Sequence, residues 1–152
     1  MHVNYYLNRE SPTMIYLEHV NLVVSDMSAM LKFYQTAFPH WKIRDEGDSE
    51  WYGKPRKWLH FGDEYQYIAL SDNGEDENRN LEGHQVGLAH FAYVVENVDA
   101  ITERLVNSGF EIAKDGIKNP YRRNVYFIDP AGFEVEFVEY LSDIPKQRNS
   151  TF

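Results

Sequence analysis

The sequence predicts an α+β fold built from two βαβββ modules in tandem. Two observations indicate this: two strand-like runs carry a histidine at the same place, and an amphipathic helix pattern follows each run. "LEHVNLVV" begins at Leu17 and "LAHFAYVV" at Leu88, and superposing the two runs aligns His19 with His90. A repeated supersecondary unit cannot bury its apolar face alone. The two halves should therefore pack together around a shared core.

Each strand-like run leads into a helix that has a polar residue at its predicted N-cap. Asp26 precedes the first helix and Asn97 the second, and side-chain oxygens of these types accept a hydrogen bond from the first turn. Pro39 ends the first helix, and Gly109 suits the left-handed cap after the second. Spacings of three and four residues give each helix one apolar stripe. The stripes are Met27, Met30, Leu31, Tyr34 and Phe38, and Val98, Ile101, Leu105 and Val106.

Three further strands complete each module. They are "WKIRDE", "KWLHFG" and "YQYIALSD" in the first half, and "FEIAKD", "NVYFID" and "FEVEFVEY" in the second. Alternation within the strands predicts one apolar and one polar face for each sheet. The predicted organisation is an N-terminal extension at residues 1–13, one domain at 14–140 and a polar C-terminal tail at 141–152. Within the domain, module one spans about 14–72 and module two about 86–140.

The composition excludes several classes of protein. The chain has no cysteine, so any metal must be held by imidazole and carboxylate groups. A formal net charge of −9 argues against nucleic-acid or anionic-membrane partners. There is no export signal and no apolar run of about 20 residues, so we expect a cytoplasmic protein. Part of the negative charge lies between Asp72 and Asn80, a run that predicts a mobile, solvated connector.

Two stretches of the chain resemble a known family. With "HVNLVVSDM…FY" in its first half and "DPAGFEVEFVEY" at its end, the sequence resembles the vicinal oxygen chelate superfamily. That superfamily includes glyoxalase I, extradiol dioxygenases, fosfomycin-resistance proteins and bleomycin-binding proteins. The resemblance covers roughly Met14 to Tyr140. It implies mixed, curved sheets around a cavity, with the helices on the outer face, and metal ligands on the first and last strands of the modules.

The resemblance implies three metal ligands in this chain. Carried over by position, they are His19, His90 and Glu136. The fourth position corresponds to Ala69, where glyoxalase I has a carboxylate. The remaining set of two histidines and one carboxylate is like that of the extradiol dioxygenases, and it suits divalent Fe, Mn, Ni or Zn with coordination positions left open. Glu134 lies on the same predicted face as Glu136 and is the alternative candidate for the carboxylate ligand.

The remaining predictions concern catalysis, function and assembly. His60 in "KWLHFGD" is a candidate acid or base, although a solvent-exposed strand residue fits the same pattern. The resemblance leaves two functions open. One is a metal-dependent lyase, isomerase or dioxygenase acting on a small molecule with vicinal oxygens. The other is a protein that sequesters a small molecule in a metal-free pocket, as the bleomycin-binding relatives do. Unprotected sheet edges, together with the pairing common among small members, predict a homodimer.

Overall fold

The computed structural model describes residues 15–151, so the extension predicted at residues 1–13 lies outside the described residues. In the described part of the chain, the order βαβββ occurs twice and a short helix follows. This confirms the α+β fold with two tandem modules. The first module contains β1 (His19–Val23), α1 (Met27–Ala37), β2 (Lys42–Trp51), β3 (Lys54–Gly62) and β4 (Tyr67–Ser71). The second contains β5 (Phe91–Val94), α2 (Val98–Asn107), β6 (Ile112–Asp115), β7 (Arg122–Ile128) and β8 (Glu134–Tyr140), and α3 (Pro145–Arg148) follows.

The helix termini lie where the sequence predicts them. The carboxylate of Asp26 accepts a hydrogen bond of 2.9 Å from the backbone N–H three residues on, and the side chain of Asn97 does the same at 2.9 Å. The first helix ends at Ala37, and the second is followed by Gly109 with a φ of +89°. A left-handed residue after a helix favours glycine, since it has no Cβ to clash with the backbone.

Each module forms a four-stranded sheet in which the first and last strands pair in parallel. The strand orders are β1-β4-β3-β2 and β5-β8-β7-β6, so β1 and β5 are edge strands. His19 of β1 lies opposite Tyr67 of β4, and Ala92 of β5 lies opposite Glu136 of β8. In each module, the register thus places the first strand beside the last strand.

One hydrophobic core joins the two modules. The ring of Trp41, just after α1, lies 5.8 Å from Phe61 of the first sheet and 5.7 Å from Tyr93 of the second. Phe38 lies 5.7 Å from Phe137 of β8. The helices therefore cover the apolar faces of the sheets, as predicted. Because side chains alternate across a strand, the polar face of each sheet is turned away from the shared core.

Polar contacts also connect the modules. Arg104 of α2 donates to the carbonyls of Thr36 and Ala37 at 3.0 and 2.8 Å. The last carbonyls of a helix have no partner within the helix, so this guanidinium satisfies two of them. The hydroxyl of Tyr34 in α1 donates to Asp129, in the turn between β7 and β8, at 2.8 Å.

The connector and the tail are more closely attached than the sequence suggests. Asn78 of the connector donates to the carbonyl of Gly132 at 2.8 Å, and Lys54 donates to the carbonyl of Asn73 at 3.0 Å. The connector that the sequence predicts to be mobile and solvated is thus hydrogen-bonded to Lys54 of the first module and to Gly132 of the second. The tail contains α3. No helix among the described residues is long and apolar enough to cross a membrane.

Asp129 is a buried carboxyl group at the contact between the modules. It is 3% exposed, and besides the Tyr34 hydroxyl its side chain accepts backbone N–H bonds of 3.0 Å from Ala131 and Phe133. Burial raises the pKa of Asp129 to about 6, even though these hydrogen bonds favour the charged form. The carboxyl group therefore makes the stability of the fold depend on pH.

We expect the substitution Asp129→Asn to remove part of that dependence. The ordinary pKa is 3.8, so the folded chain binds this proton more tightly than the unfolded chain. The contribution to the free energy of unfolding is fully present below about pH 4 and is lost as pH rises through about 6, by about 3 kcal/mol. Asparagine keeps a carbonyl for the backbone N–H groups. Urea unfolding of both proteins between about pH 4 and 7 measures the difference, and parallel pH profiles would contradict the assignment.

Candidate metal centre and ligand site

The predicted site residues form two clusters, one on the polar face of each sheet. His19 belongs to the first, and His90 and Glu136 belong to the second. Within the described part of one chain, no group of three or more histidine, aspartate and glutamate side chains lies close enough to hold a metal ion. A single chain therefore brings together two of the three predicted ligands and leaves the third on the other sheet.

The second cluster pairs an imidazole with a carboxylate. His90 lies immediately before β5, and its Nε2 is 3.4 Å from an oxygen of Glu136. The His90 side chain is 41% exposed, whereas that of Glu136 is 14% exposed. This arrangement leaves the imidazole open to solvent above a carboxylate that is held mostly within the sheet. Both groups are donors that divalent transition metals accept.

Hydrogen bonding distinguishes Glu136 from its rival Glu134. The ammonium of Lys114 lies 2.9 Å from Glu134, so that carboxylate already has a cationic partner. Glu136 instead accepts a hydrogen bond of 2.7 Å from the amide of Asn124, which is neutral and leaves the negative charge uncompensated. Glu134 is also farther from the His90 ring, at 3.8 Å. These contacts favour Glu136 as the group that can hold a cation.

Tyr126 completes the surroundings of Glu136. Burial raises the pKa of the Tyr126 hydroxyl, and the negative charge of Glu136 raises it further. The hydroxyl therefore stays protonated and can donate to the carboxylate. Its ring also lies 5.6 Å from the ring of His90, edge to face. Tyr126 thus contacts both members of the pair.

In the first cluster, neighbouring groups hold the ring of His19. The imidazole stacks on Tyr67 with 4.6 Å between centroids and 16° between planes. Its Nδ1 lies 3.4 Å from a carboxylate oxygen of Glu18. A carboxylate at one ring nitrogen orients the other nitrogen toward a metal in many sites. The side chain is 42% exposed, which leaves it accessible from outside the chain.

His60 lies on the same face as His19, in β3. Its ring is 4.5 Å from Tyr67 and 5.1 Å from Trp58. Burial lowers the pKa of His60 below its ordinary value of 6.5, while the nearby charge of Asp45 opposes that shift. The imidazole is therefore neutral at neutral pH and can accept a proton. Its catalytic role stays a prediction.

The resemblance to the superfamily predicts that Ala69 corresponds to the carboxylate ligand of glyoxalase I. Ala69 pairs with Asn21 on one side and His60 on the other, and its side chain is 4% exposed. The side chain of Ala69 is therefore covered by its neighbours in the described chain. A carboxylate here would be buried, and the cost of burying an unpaired charge is several kcal/mol. Ala69 forms part of the floor of the polar face.

Lys114 and Asn124 were missed by sequence reasoning. Tyr67 is an aromatic residue of the first module that could line a pocket, and pairing of the first and last strands of the module places it beside His19. Lys114 of β6 pairs with Glu134 of β8, and Asn124 of β7 donates to Glu136 of β8. No local signal in the sequence fixes the registers of these three strands. The roles of Lys114 and Asn124 follow from strand pairing alone.

Two clefts of the described chain lie outside the predicted metal ligands, although Asn124, which donates to Glu136, lines the first of them. One of about 550 Å³ is between α2 and the loop from β6 to β7, and Arg122 contributes to its lining. Arg123, beside it, pairs with Asp99 of α2. The other, of about 230 Å³, is between the end of β1 and the connector. Neither cleft includes a predicted metal ligand.

Family membership follows from the sequence taken as a whole. The family model described as the Glyoxalase/Bleomycin resistance protein/Dioxygenase superfamily matches residues 16–137. The chain belongs to this superfamily. The predicted resemblance is thereby confirmed. No curated protein sequence matches the chain at a significant level.

Solved structures of superfamily members share the fold. A glyoxylase/bleomycin resistance protein/dioxygenase domain from Frankia sp. EAN1pec is 19% identical, with 91% of this chain and 100% of that chain covered and a TM-score of 0.69. The genomically encoded fosfomycin resistance protein FosX from Listeria monocytogenes is 19% identical, with 89% and 99% covered and a TM-score of 0.64. A variant of FosX, solved with Mn(II) and 1S,2S-dihydroxypropylphosphonic acid, is 20% identical, with 91% and 100% covered and a TM-score of 0.62.

Proposed function

We propose that this superfamily member is a divalent-metal-dependent enzyme, a lyase, isomerase or dioxygenase, acting on a small molecule with vicinal oxygens. The observation that carries the proposal is the pair of His90 and Glu136, 3.4 Å apart, with the carboxylate supported by a neutral amide. The structure of a FosX variant with Mn(II) and a dihydroxylated ligand lends support. Metal analysis of the purified protein, before and after incubation with Mn(II), Fe(II), Ni(II) or Zn(II), tests it.

The donors present fit such a metal. His19, His90 and Glu136 would hold it, as two neutral imidazoles and one carboxylate with open positions for substrate. When bound, the metal would supply Lewis-acid polarisation of the substrate oxygens. The chain's other residues keep the ligands in place: Glu18 and Tyr67 orient the His19 ring, and Asn124 orients Glu136. His60 is the proposed group that moves a proton.

The proposed centre is shared between two copies of the chain. Within one chain the polar faces of the two sheets are turned away from the common core, so His19 does not meet His90 and Glu136 of its own chain. We propose that it meets His90 and Glu136 of a second copy. β1 and β5 are edge strands that carry or adjoin these histidines, and pairing them across copies satisfies both edges. Val23 and Val94 on these strands are 45% and 58% exposed, and a partner would cover them.

We expect a homodimer in solution. A closed two-fold pair has two equivalent sites and an interface above about 1,000 Å². Light scattering at micromolar concentration should give about twice the 17.9 kDa mass of the chain. As a variant, Val94→Glu should lower that mass, because it buries a charge in the proposed interface, whereas the exposed Val106→Glu on α2 should not. A monomer mass for the unmodified protein would contradict the shared centre.

One feature favours the alternative of a non-catalytic binding protein. The rings of His19, Tyr67, His60 and Trp58 form a continuous row that could hold a ligand without a metal. Absence of stoichiometric metal after incubation, together with tight ligand binding, would support sequestration in place of catalysis.

A further inference from the structure

The polar face of the first sheet carries a row of rings that extends past the residues used in the proposed metal chemistry. We call Tyr67, His60 and Trp58 the aromatic strip. Tyr67 lies 4.6 Å from the ring of His19, and the steps from Tyr67 to His60 and from His60 to Trp58 are 4.5 and 5.1 Å. All three rings are partly buried. The strip therefore runs from the candidate metal ligand across the sheet.

Packing fixes the aromatic strip in place. The indole of Trp58 lies against β2 at Gly47, where an added Cβ would come within 2.9 Å of the ring. Ala69 and Ser71 lie on the same face and are 4% and 1% exposed, so they form a closed floor beside the rings. A ligand that binds here does not have to order flexible side chains, and this reduces the entropic cost of binding.

A guanidinium group lies at the Trp58 end of the strip. Arg56 donates to the hydroxyl of Ser49 at 3.0 Å and to that of Ser71 at 2.6 Å, and its guanidinium covers the ring of Trp51 at 4.5 Å. Among the described residues, no carboxylate lies within 4.0 Å of Arg56, although the chain has a net charge of −9. Hydroxyl groups position this cation without cancelling its charge. Its remaining N–H groups can bind an anion.

We propose that the aromatic strip and Arg56 bind an aromatic carboxylate, and that the substrate belongs to this class. The planar ring system packs along His60 and Trp58, and the carboxylate binds Arg56. The assignment of the substrate class rests on the proposed function, because the strip lies beside the metal only if His19 holds that metal. A saturated ring lacks the π-system that contacts the rings, and a neutral amide lacks the charge that contacts the guanidinium.

Isothermal titration of the chelator-treated, full-length protein tests the inference with 2-naphthoate as the probe. Cyclohexanecarboxylate keeps the charge without the aromatic system, and 2-naphthamide keeps the aromatic system without the charge. We expect 2-naphthoate to bind at least about tenfold more tightly than either. Arg56→Gln should weaken 2-naphthoate about tenfold and leave 2-naphthamide unchanged. Trp58→Leu should weaken both aromatic probes, and Trp58→Phe, which keeps a ring, should retain most of the affinity.

Lys57→Gln is the matched control, since Lys57 is an exposed cation next to Arg56 whose side chain points to the opposite side of the strand. Equal weakening by Lys57→Gln and Arg56→Gln would show diffuse attraction of anions and overturn the inference. Binding of cyclohexanecarboxylate as tight as that of 2-naphthoate would overturn it as well. A Mn(II) titration of the unmodified protein separates the two proposals: absent naphthoate binding with intact Mn(II) binding refutes only the strip. The reverse result refutes only the metal centre.

Discussion

Glu136→Gln is expected to weaken Mn(II) binding by at least about 100-fold. Loss of a group that only supports a metal ligand costs up to about 100-fold in affinity, and Glu136 is proposed as a ligand itself. Glutamine keeps the shape of the side chain and an oxygen that can accept from Asn124, so the fold should be unaffected. The loss would come from removing the charge beside His90. Titration of Mn(II) followed by calorimetry measures the change.

Glu134→Gln is the matched control for this prediction. It removes the same charge from the same face of β8, but from a carboxylate that already pairs with Lys114. We expect its Mn(II) affinity to stay close to that of the unmodified protein. Equal losses in both variants would show that the face attracts cations without a defined ligand, and would contradict the assignment of Glu136.

Mixing two inactive variants tests whether the centre spans two copies. His19→Ala and Glu136→Gln should each abolish tight binding alone. After unfolding and refolding together, half of the dimers contain one chain of each kind, and each of these has one intact site. About a quarter of the sites should then bind Mn(II), because the two sites of a two-fold dimer are equivalent. No recovery in the mixture would contradict a centre shared between two copies.

Phe33→Ala is expected to lower the free energy of unfolding by about 3 to 5 kcal/mol. The side chain is fully buried in α1, with ring centroids 5.0 Å from Phe110 and 6.4 Å from Phe127. Both of these neighbours belong to the second module, so a cavity at Phe33 removes packing between the modules. Urea unfolding followed by circular dichroism measures the loss.

Val106→Ala on α2 serves as the control for this prediction, because Val106 is 46% exposed and its truncation should cost below about 1 kcal/mol. The shared core also predicts that both modules unfold in one transition. Hydrogen exchange should therefore become faster in β3 and in β7 together in the Phe33→Ala variant. Acceleration confined to the first module would show that the modules are independently stable.

The local elements could be read from the sequence because their determinants are local. Asp26 and Asn97 are followed by apolar residues at helical spacing, and both cap a helix in the structure. The alternation of Val135, Glu136 and Phe137 predicts which side of β8 faces the core, and the observed burial confirms it. Such patterns depend on residues a few positions apart, so a short stretch of sequence is enough to predict a helix terminus or the buried face of a strand.

The candidate site was predictable in its residue types but not in its surroundings. The histidines and Glu136 follow from the repeat and from the resemblance to the superfamily. Their neighbours Asn124 and Lys114 depend on the register of β6, β7 and β8, and a shift of one residue would turn each side chain to the other face. The sequence could not reveal that Arg56 is held by two hydroxyls, since Ser49 and Ser71 come from different strands.

The sequence by itself determined the two modules, their helix termini and the faces of their strands. The sequence also predicted a shared core, but only the tertiary structure decided that Phe33, Phe38 and Trp41 join the modules in it, with the polar faces turned away from it. Periodicity states which face of a sheet is apolar but not which partner covers that face. Many partners can bury the same apolar area at a similar gain in free energy, so the choice depends on side-chain packing across the whole chain.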